Sequence, residues 1–268
     1  MTIAQLIRQL EAWANPAWQE SWDNCGWQVQ PGILDEPAQV LVCLTPTLAV
    51  MQEAIAQREQ GQPVNLIVAH HPLIFAPVKS LQPGDPVADM VALAYQHRIG
   101  IYTAHTNFDQ VADGTADVLA QLLQLQNSQA IVPTAADANT GGYGRVGDLP
   151  APLTVGDVLS KIHALLQPPR LLHSPVTDMT ALVSRVAVLG GSGASFLGDV
   201  ANTGAQIYLT ADCKFHQFQD ARDRGIILVD AGHYATERPA CARLVERLRE
   251  LGTASVRLSE QDEDFRQF

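Results

Sequence analysis

The chain has 268 residues, 47% hydrophobic and 17% charged, enough for one large α/β domain or two smaller ones, and a composition that excludes wholesale disorder. Its net charge is −11 and its 17 Lys and Arg are spread along the chain, which argues against a nucleic-acid-binding surface. No apolar run approaches the ~18 residues of a membrane span, and the start lacks the pattern of a secretory signal. The four cysteines, Cys25, Cys43, Cys213 and Cys241, form no C-x-x-C pair, so free thiols in a reducing cytoplasm are expected.

The opening segment predicts an amphipathic helix with Ile3, Leu6, Ile7 and Leu10 on one face and Thr2 as its cap. "ESWDNCGWQVQPG" follows, and periodicity does not classify it. Residues 38–44, "AQVLVCL", are a continuous apolar run of the kind a strand buried on both faces requires. A helix starting at Thr45 or Thr47 and stopped by Gly61 comes next, then the strand "VNLIVAHH". A loop over 76–86, a helix ending at Gly100, the strand "IGIYTAH" and the helix "GTADVLAQLLQL" complete a first α/β half, residues 1–126. Residues 127–180 have a different texture, turn-rich around one capped helix, and read as a connecting segment. A second α/β half, 181–268, carries the strands "SRVAVLGG", "AQIYLTAD" and "IILVDAGH", each followed by a helix, and a final short strand "SVRL".

The halves read as a two-fold pseudo-repeat. The third strand of the first ends in His105-x-x-x-Asp109 and that of the second in His233-x-x-x-Glu237, while the second strand of the first half ends in His70-His71. The expected fold is therefore two pseudo-repeated α/β halves with mainly parallel strands. In parallel sheets functional groups gather beyond the carboxyl ends of the strands, which sets all six residues at one rim, between the halves. A four-residue spacing on a helix puts both side chains on one face. Histidine with carboxylate and no thiolate suits Zn, Mn, Fe or Co. Neighbouring strand residues point to opposite faces, so His70 and His71 read as one ligand for each of two ions. Four histidines and two acids also exceed the needs of one open tetrahedral centre.

Other segments carry weaker readings. "GGSG" (190–193) is either a tight turn or an anion contact through Gly191 and Ser192, without the lysine of a P-loop. Lys214 is either a substrate-anion contact or a solvated charge, and it flanks the crevice with Asp212 and His216. Trp22, Asp23 and Asn24 read as pocket lining or as a buried aromatic with turn-forming neighbours. His97, His163 and His173 read as surface residues. No G-x-S-x-G occurs and Cys25 has no evident local base, so covalent catalysis has no support.

"SWDNCGWQV", "NLIVAHHPLIF", "IYTAHTNFD", "GYGRVGDL", "VAVLGGSG", "YLTADCKFH" and "IILVDAGHYATE", in this order, resemble the NIF-three-like family, whose members are described as dinuclear-metal-centre hexameric proteins and often labelled GTP cyclohydrolase I type two homologues. The resemblance runs from about residue 3 to 260 and is to a short-form member. It implies two divalent metal ions per chain, held by His70, His71, Asp109, His233 and Glu237, with Glu237 bridging. It makes His105 a residue that supports the ligands or transfers a proton, more than a ligand itself, and it implies a toroidal homohexamer. Thr45 departs from the pattern, because relatives often carry an acid there, and it is expected away from the ligand segments. The implied function is a metal-dependent hydrolase of a small anionic substrate, nucleotide-like or a phosphoester. The alternative is a metal-binding or regulatory ring without turnover.

Overall fold

The computed structural model describes residues 1–134 and 141–267. The chain forms two compact units, residues 1–108 with 241–263, and residues 109–240 with 264–268.

The first unit is built on a five-stranded sheet in the order Gly26–Val29, Gly100–Thr103, Leu66–Ala69, Gln39–Cys43, Ser255–Leu258. The last four run parallel and Gly26–Val29 pairs antiparallel with Gly100–Thr103. Leu66–Ala69 and Gly100–Thr103 are buried at every position, as continuous apolar runs covered on both faces should be. Helix Ile3–Trp13 is capped at Thr2, whose hydroxyl accepts from Gln5 N while the Gln5 side chain accepts from Thr2 N, and it buries Ile3, Leu6, Ile7 and Leu10. Helices Leu48–Glu59 and Pro86–His97 pack Val50, Met51, Ala54, Met90 and Ala94 against Leu41, Ile67 and Ile101.

The second unit carries a six-stranded sheet ordered Gln126–Gln129, Arg145–Thr154, Leu182–Val188, Ile207–Thr210, Ile227–Asp230, Leu172–His173. Its three central strands, Leu182–Val188 onward, are parallel and the flanking strands antiparallel. Alternate residues of Leu182–Val188 serve different cores: Val186 and Val188 pack in a cluster with Leu119, Val158 and Ile162, and Ala187 packs in one with Leu197, Val200 and Leu228. Arg145 closes the edge, donating through Nε and Nη2 to both oxygens of Asp117 (2.6 Å each) and through Nη1 to the carbonyls of Gly142 and Gly144.

The first sheet thus has four consecutive parallel strands and the second three, the two-halved α/β fold expected. The organisation differs in two respects. Residues 127–180, read as a connecting segment, supply helix Val155–Leu166 to the second unit and most or all of three strands of its six-stranded sheet, Gln126–Gln129, Arg145–Thr154 and Leu172–His173. Residues 241–263, read as the end of the second half, belong to the first unit, where Ser255–Leu258 extends the sheet beside Gln39–Cys43. The helix expected to follow "SRVAVLGG", over residues 192–204, is a 3₁₀ turn, Ala194–Phe196, followed by the short helix Leu197–Ala201. Among the described residues no helix is long and apolar enough to cross a membrane.

Candidate metal centre

In the first unit, sheet register builds a histidine cluster. Ala69 lies opposite Thr103 on the adjacent parallel strand, so the residues leaving the two strands, His70-His71 and Ala104-His105, emerge side by side. The chain does not leave freely: His70 N donates to Cys43 O (3.1 Å), His71 N to Leu44 O (2.8 Å) and Ala104 N to Ala69 O (3.0 Å). Ring centroids stand 5.2 Å apart for His70 and His71, 5.1 Å for His70 and His105, and 5.7 Å for His71 and His105. One ring nitrogen from each lies within 4.8 Å of the other two.

The opposite-face argument for His70 and His71 does not apply, because the strand stops at Ala69 and both histidines sit in the bend beyond it. Their nitrogens are close enough to serve a common centre, and His105 belongs to the same cluster. Phe108 packs edge-on to buried His70 at 5.8 Å, an apolar wall behind the ring.

Each ring is anchored through Nδ1, by a different oxygen. His70 Nδ1 meets Ala104 O at 2.9 Å, His71 Nδ1 meets Thr45 Oγ1 at 2.8 Å, and His105 Nδ1 meets Asp23 Oδ1 at 2.7 Å. An anchored second nitrogen is the usual state of an imidazole that ligates a metal, because the outer bond sets tautomer and ring orientation. Thr45 therefore does not lie away from the ligand segments; it holds one of them.

Asp23 is buried, and its neighbour Trp22 is 57% exposed, the reverse of the buried-aromatic reading. The Trp22 ring stands 6.0 Å from Phe75, also exposed, and 6.2 Å from His105. Burial would raise the Asp23 pKa, but hydrogen bonds from His105 and Thr106 outweigh it and hold the carboxyl well below its ordinary range. The Cys25 thiol donates to Asp23 Oδ2 (3.1 Å), and burial together with that carboxylate pushes it up to about 12. A thiol held protonated at neutral pH is not a nucleophile. None of the described cysteines is in a disulfide.

In the second unit the helix His233–Glu250 begins at the first candidate ligand, and its i, i+4 geometry brings His233 Nε2 to 2.9 Å from Glu237 Oε2. His233 Nδ1 is 2.7 Å from Asp212 Oδ2, and Arg266 Nη1 donates to Asp212 Oδ1 at 3.0 Å. Burial pulls the His233 pKa down, but hydrogen bonds and charge from Asp212 and Glu237 push it up to about 10. The hydrogen bond from His233 lowers Asp212 in turn, with Arg266 adding to the effect.

The two His-x-x-x-acid spacings are used differently. His105 precedes the short helix Thr106–Gln110 instead of heading it, and its Nδ1 is taken by Asp23. Asp109 falls in the second unit, where its Oδ1 accepts from the Thr115 hydroxyl (2.8 Å).

Glu237 is 4% exposed and rests on the turn read as a possible anion cradle. A Cβ on Gly191 would run into Glu237 Oε1, and Gly191 adopts φ +66, so only glycine lets the backbone pass this close. Gly191 N donates to Thr236 Oγ1 and Gly193 N to Thr210 Oγ1, both at 3.0 Å. With these two N–H groups engaged, the turn seats Glu237 instead of offering them to an anion. Ser192, Lys214 and His216 are exposed, the last two around the start of helix Phe215–Asp223.

Asp23, Asp212 and Thr45 are the partners that sequence reasoning did not assign. Their only signal is proximity to candidate motifs, since each role depends on which strand lies beside which.

Comparisons place this geometry in a family. The model of Duf34/NIF3 (NGG1p interacting factor 3) matches residues 1–264. A Nostoc sp. (strain PCC 7120) protein named GTP cyclohydrolase 1 type 2 homolog is 64% identical over 268 residues, 100% of this chain and 99% of that protein. The Schizosaccharomyces pombe Protein NIF3 homolog is 30% identical over 97% of this chain and 96% of its own length. The crystal structure of a Bacillus cereus protein related to NIF3 superposes with a TM-score of 0.88 at 22% identity, over 100% of this chain and 99% of that one, a likeness of fold. With histidine and glutamate groups able to hold a metal on this fold, the chain is a member of the Duf34/NIF3 family.

Proposed function

We propose that the chain is a dinuclear metal-binding protein acting as a metal-dependent hydrolase on a small anionic substrate, nucleotide-like or a phosphoester. The observation that carries this reading is the cluster of three imidazoles, each anchored through Nδ1 and each bringing a ring nitrogen within 4.8 Å of the others. The residues that would hold the ions are His70, His71, Asp109, His233 and Glu237. Imidazole and carboxylate without thiolate favour Zn, Mn, Fe or Co. Divalent ions in such a set supply Lewis acidity and lower the pKa of a coordinated water.

The chain's own residues do the rest. Thr45 and Ala104 O hold the His71 and His70 rings in orientation. Asp212 and Gly191 keep His233 and Glu237 in place. His105 takes and returns a proton. Lys214 and His216, exposed and polar, are the groups proposed to meet the substrate's negative charge. The Nostoc relative's name puts a purine nucleotide first among substrates to try. A cytoplasmic homohexamer belongs to the same proposal and is read by light scattering.

Elemental analysis of the purified protein should find two ions per chain, and Glu237→Ala should remove most of them. Fewer than one ion after reconstitution sinks the metal reading. A screen of nucleotides and phosphoesters under Mn, Zn, Fe and Co then reads turnover, which His105→Ala should abolish. Tight metal binding with no turnover under any of these metals makes the protein a metal-binding or regulatory one.

A further inference from the structure

We propose that Asp23 is a positioning residue for His105: it holds that imidazole as the Nδ1–H tautomer, so that Nε2 is the nitrogen offered for chemistry. The inference rests on the proposed role of the histidine cluster, and deepens it by fixing which atom of His105 acts.

The Asp23 side chain has no solvent exposure, and its two oxygens accept five hydrogen bonds. Oδ1 accepts from Asn24 N and from His105 Nδ1, both at 2.7 Å. Oδ2 accepts from Thr106 N at 3.1 Å, Thr106 Oγ1 at 2.5 Å and Cys25 Sγ at 3.1 Å. Backbone N–H groups on both oxygens prevent the carboxylate from turning. An ionised carboxylate accepts and never donates, so the hydrogen of the 2.7 Å contact belongs to His105 Nδ1.

The three anchors are not equivalent. The partner of His70 is a carbonyl, a neutral acceptor, and that of His71 is a hydroxyl, which either donates or accepts. Of these three Nδ1 anchors, the one at His105 is a carboxylate, which fixes the proton on Nδ1 and leaves the Nε2 lone pair as the one available for chemistry. Proton transfer through Nε2 needs that tautomer. The arrangement is produced by fold: Gly26 lies opposite Thr103 in the antiparallel pair, which brings residue 23 beside residues 105 and 106.

The test reads nitrogen signals of ¹⁵N-histidine-labelled, chelator-treated full-length protein, with His105 assigned by the signals lost in His105→Gln. In the wild type, His105 should show a protonated Nδ1 and an unprotonated Nε2. Asp23→Asn presents an NH₂ group as well as an oxygen, with a backbone N–H facing each position, so it should shift His105 to the Nε2–H form or to a mixture. Thr106→Val removes one donor to Asp23 without touching His105 and should leave the tautomer unchanged. A wild-type His105 with Nε2–H, or as an averaged mixture, overturns the proposal even if Asp23→Asn fails to fold. So does a folded Asp23→Asn with an unaltered His105, or a Thr106→Val that changes the tautomer equally. These spectra need no metal, so a chain that retains no ion sinks the proposed function and leaves this inference standing.

Discussion

His105 of the first unit and His233 of the second both follow the third parallel strand of their sheets, and both have a carboxylate on Nδ1. Their remaining nitrogens meet opposite situations. His105 stands among two further imidazoles, whereas His233 Nε2 already faces a second carboxylate, Glu237, at 2.9 Å. His233 between two negative groups therefore holds a proton through neutral pH in the metal-free chain. The contrast teaches that the strand-end position supplies the histidine, while the residue facing its inner nitrogen decides what that histidine carries.

The comparison breaks most severely at Gly191. Gly191→Ala drives a Cβ into the Glu237 carboxylate at a backbone φ of +66. The expected cost is about 1–3 kcal/mol of stability together with displacement of Glu237. Urea denaturation and metal stoichiometry read both effects; a variant as stable as wild type with full metal content removes the seat assigned to this turn.

A milder test uses pH. The His233 pKa is raised from its ordinary 6.5 to about 10 in the folded state, so its contribution to stability is complete below about pH 6.5 and fades as pH rises through 10. Asp212 is shifted the other way, so its contribution is present above its ordinary range and is lost as acid protonates it. In chelator-treated protein the Tm difference between wild type and His233→Ala should be larger at pH 6.5 than at pH 10. A difference that grows with pH contradicts the two-carboxylate setting.

The smallest effect belongs to the first unit. Thr45→Val removes the oxygen at His71 Nδ1 and leaves the other two anchors intact. Metal affinity should fall by about 10-fold, the lower end for loss of such an outer partner, with little change in Tm. Unchanged affinity in a Co²⁺ titration means that the Thr45 hydroxyl does not orient His71.

Much of the fold was legible because its parallel strands are buried on both faces, and residues 40–44 and 66–69 are continuous apolar runs for that reason. Gly26–Val29 escaped because it is four residues long and only Val29 is fully buried, too little for a period to show. The candidate ligands were legible from their place at strand ends. Their holders were not: the hydrogen bond from His105 to Asp23 joins residues 82 apart in sequence, and only strand register creates it. Residues 127–180 misled because antiparallel strands among turns, such as Gln126–Gln129 with all four residues exposed, lack an apolar run.

The path of the chain has a consequence for biosynthesis. The bulk of the second unit, residues 109–240, is one continuous stretch, while the first unit closes only when Ser255–Leu258 pairs with Gln39–Cys43. A ribosome therefore delivers the middle of the protein ready to fold before the part it synthesised first can be completed. Until then Gln39–Cys43, four of its five residues destined for burial, is an unpaired apolar edge, the kind of surface on which nascent chains aggregate. Truncation before residue 255 makes that interval permanent.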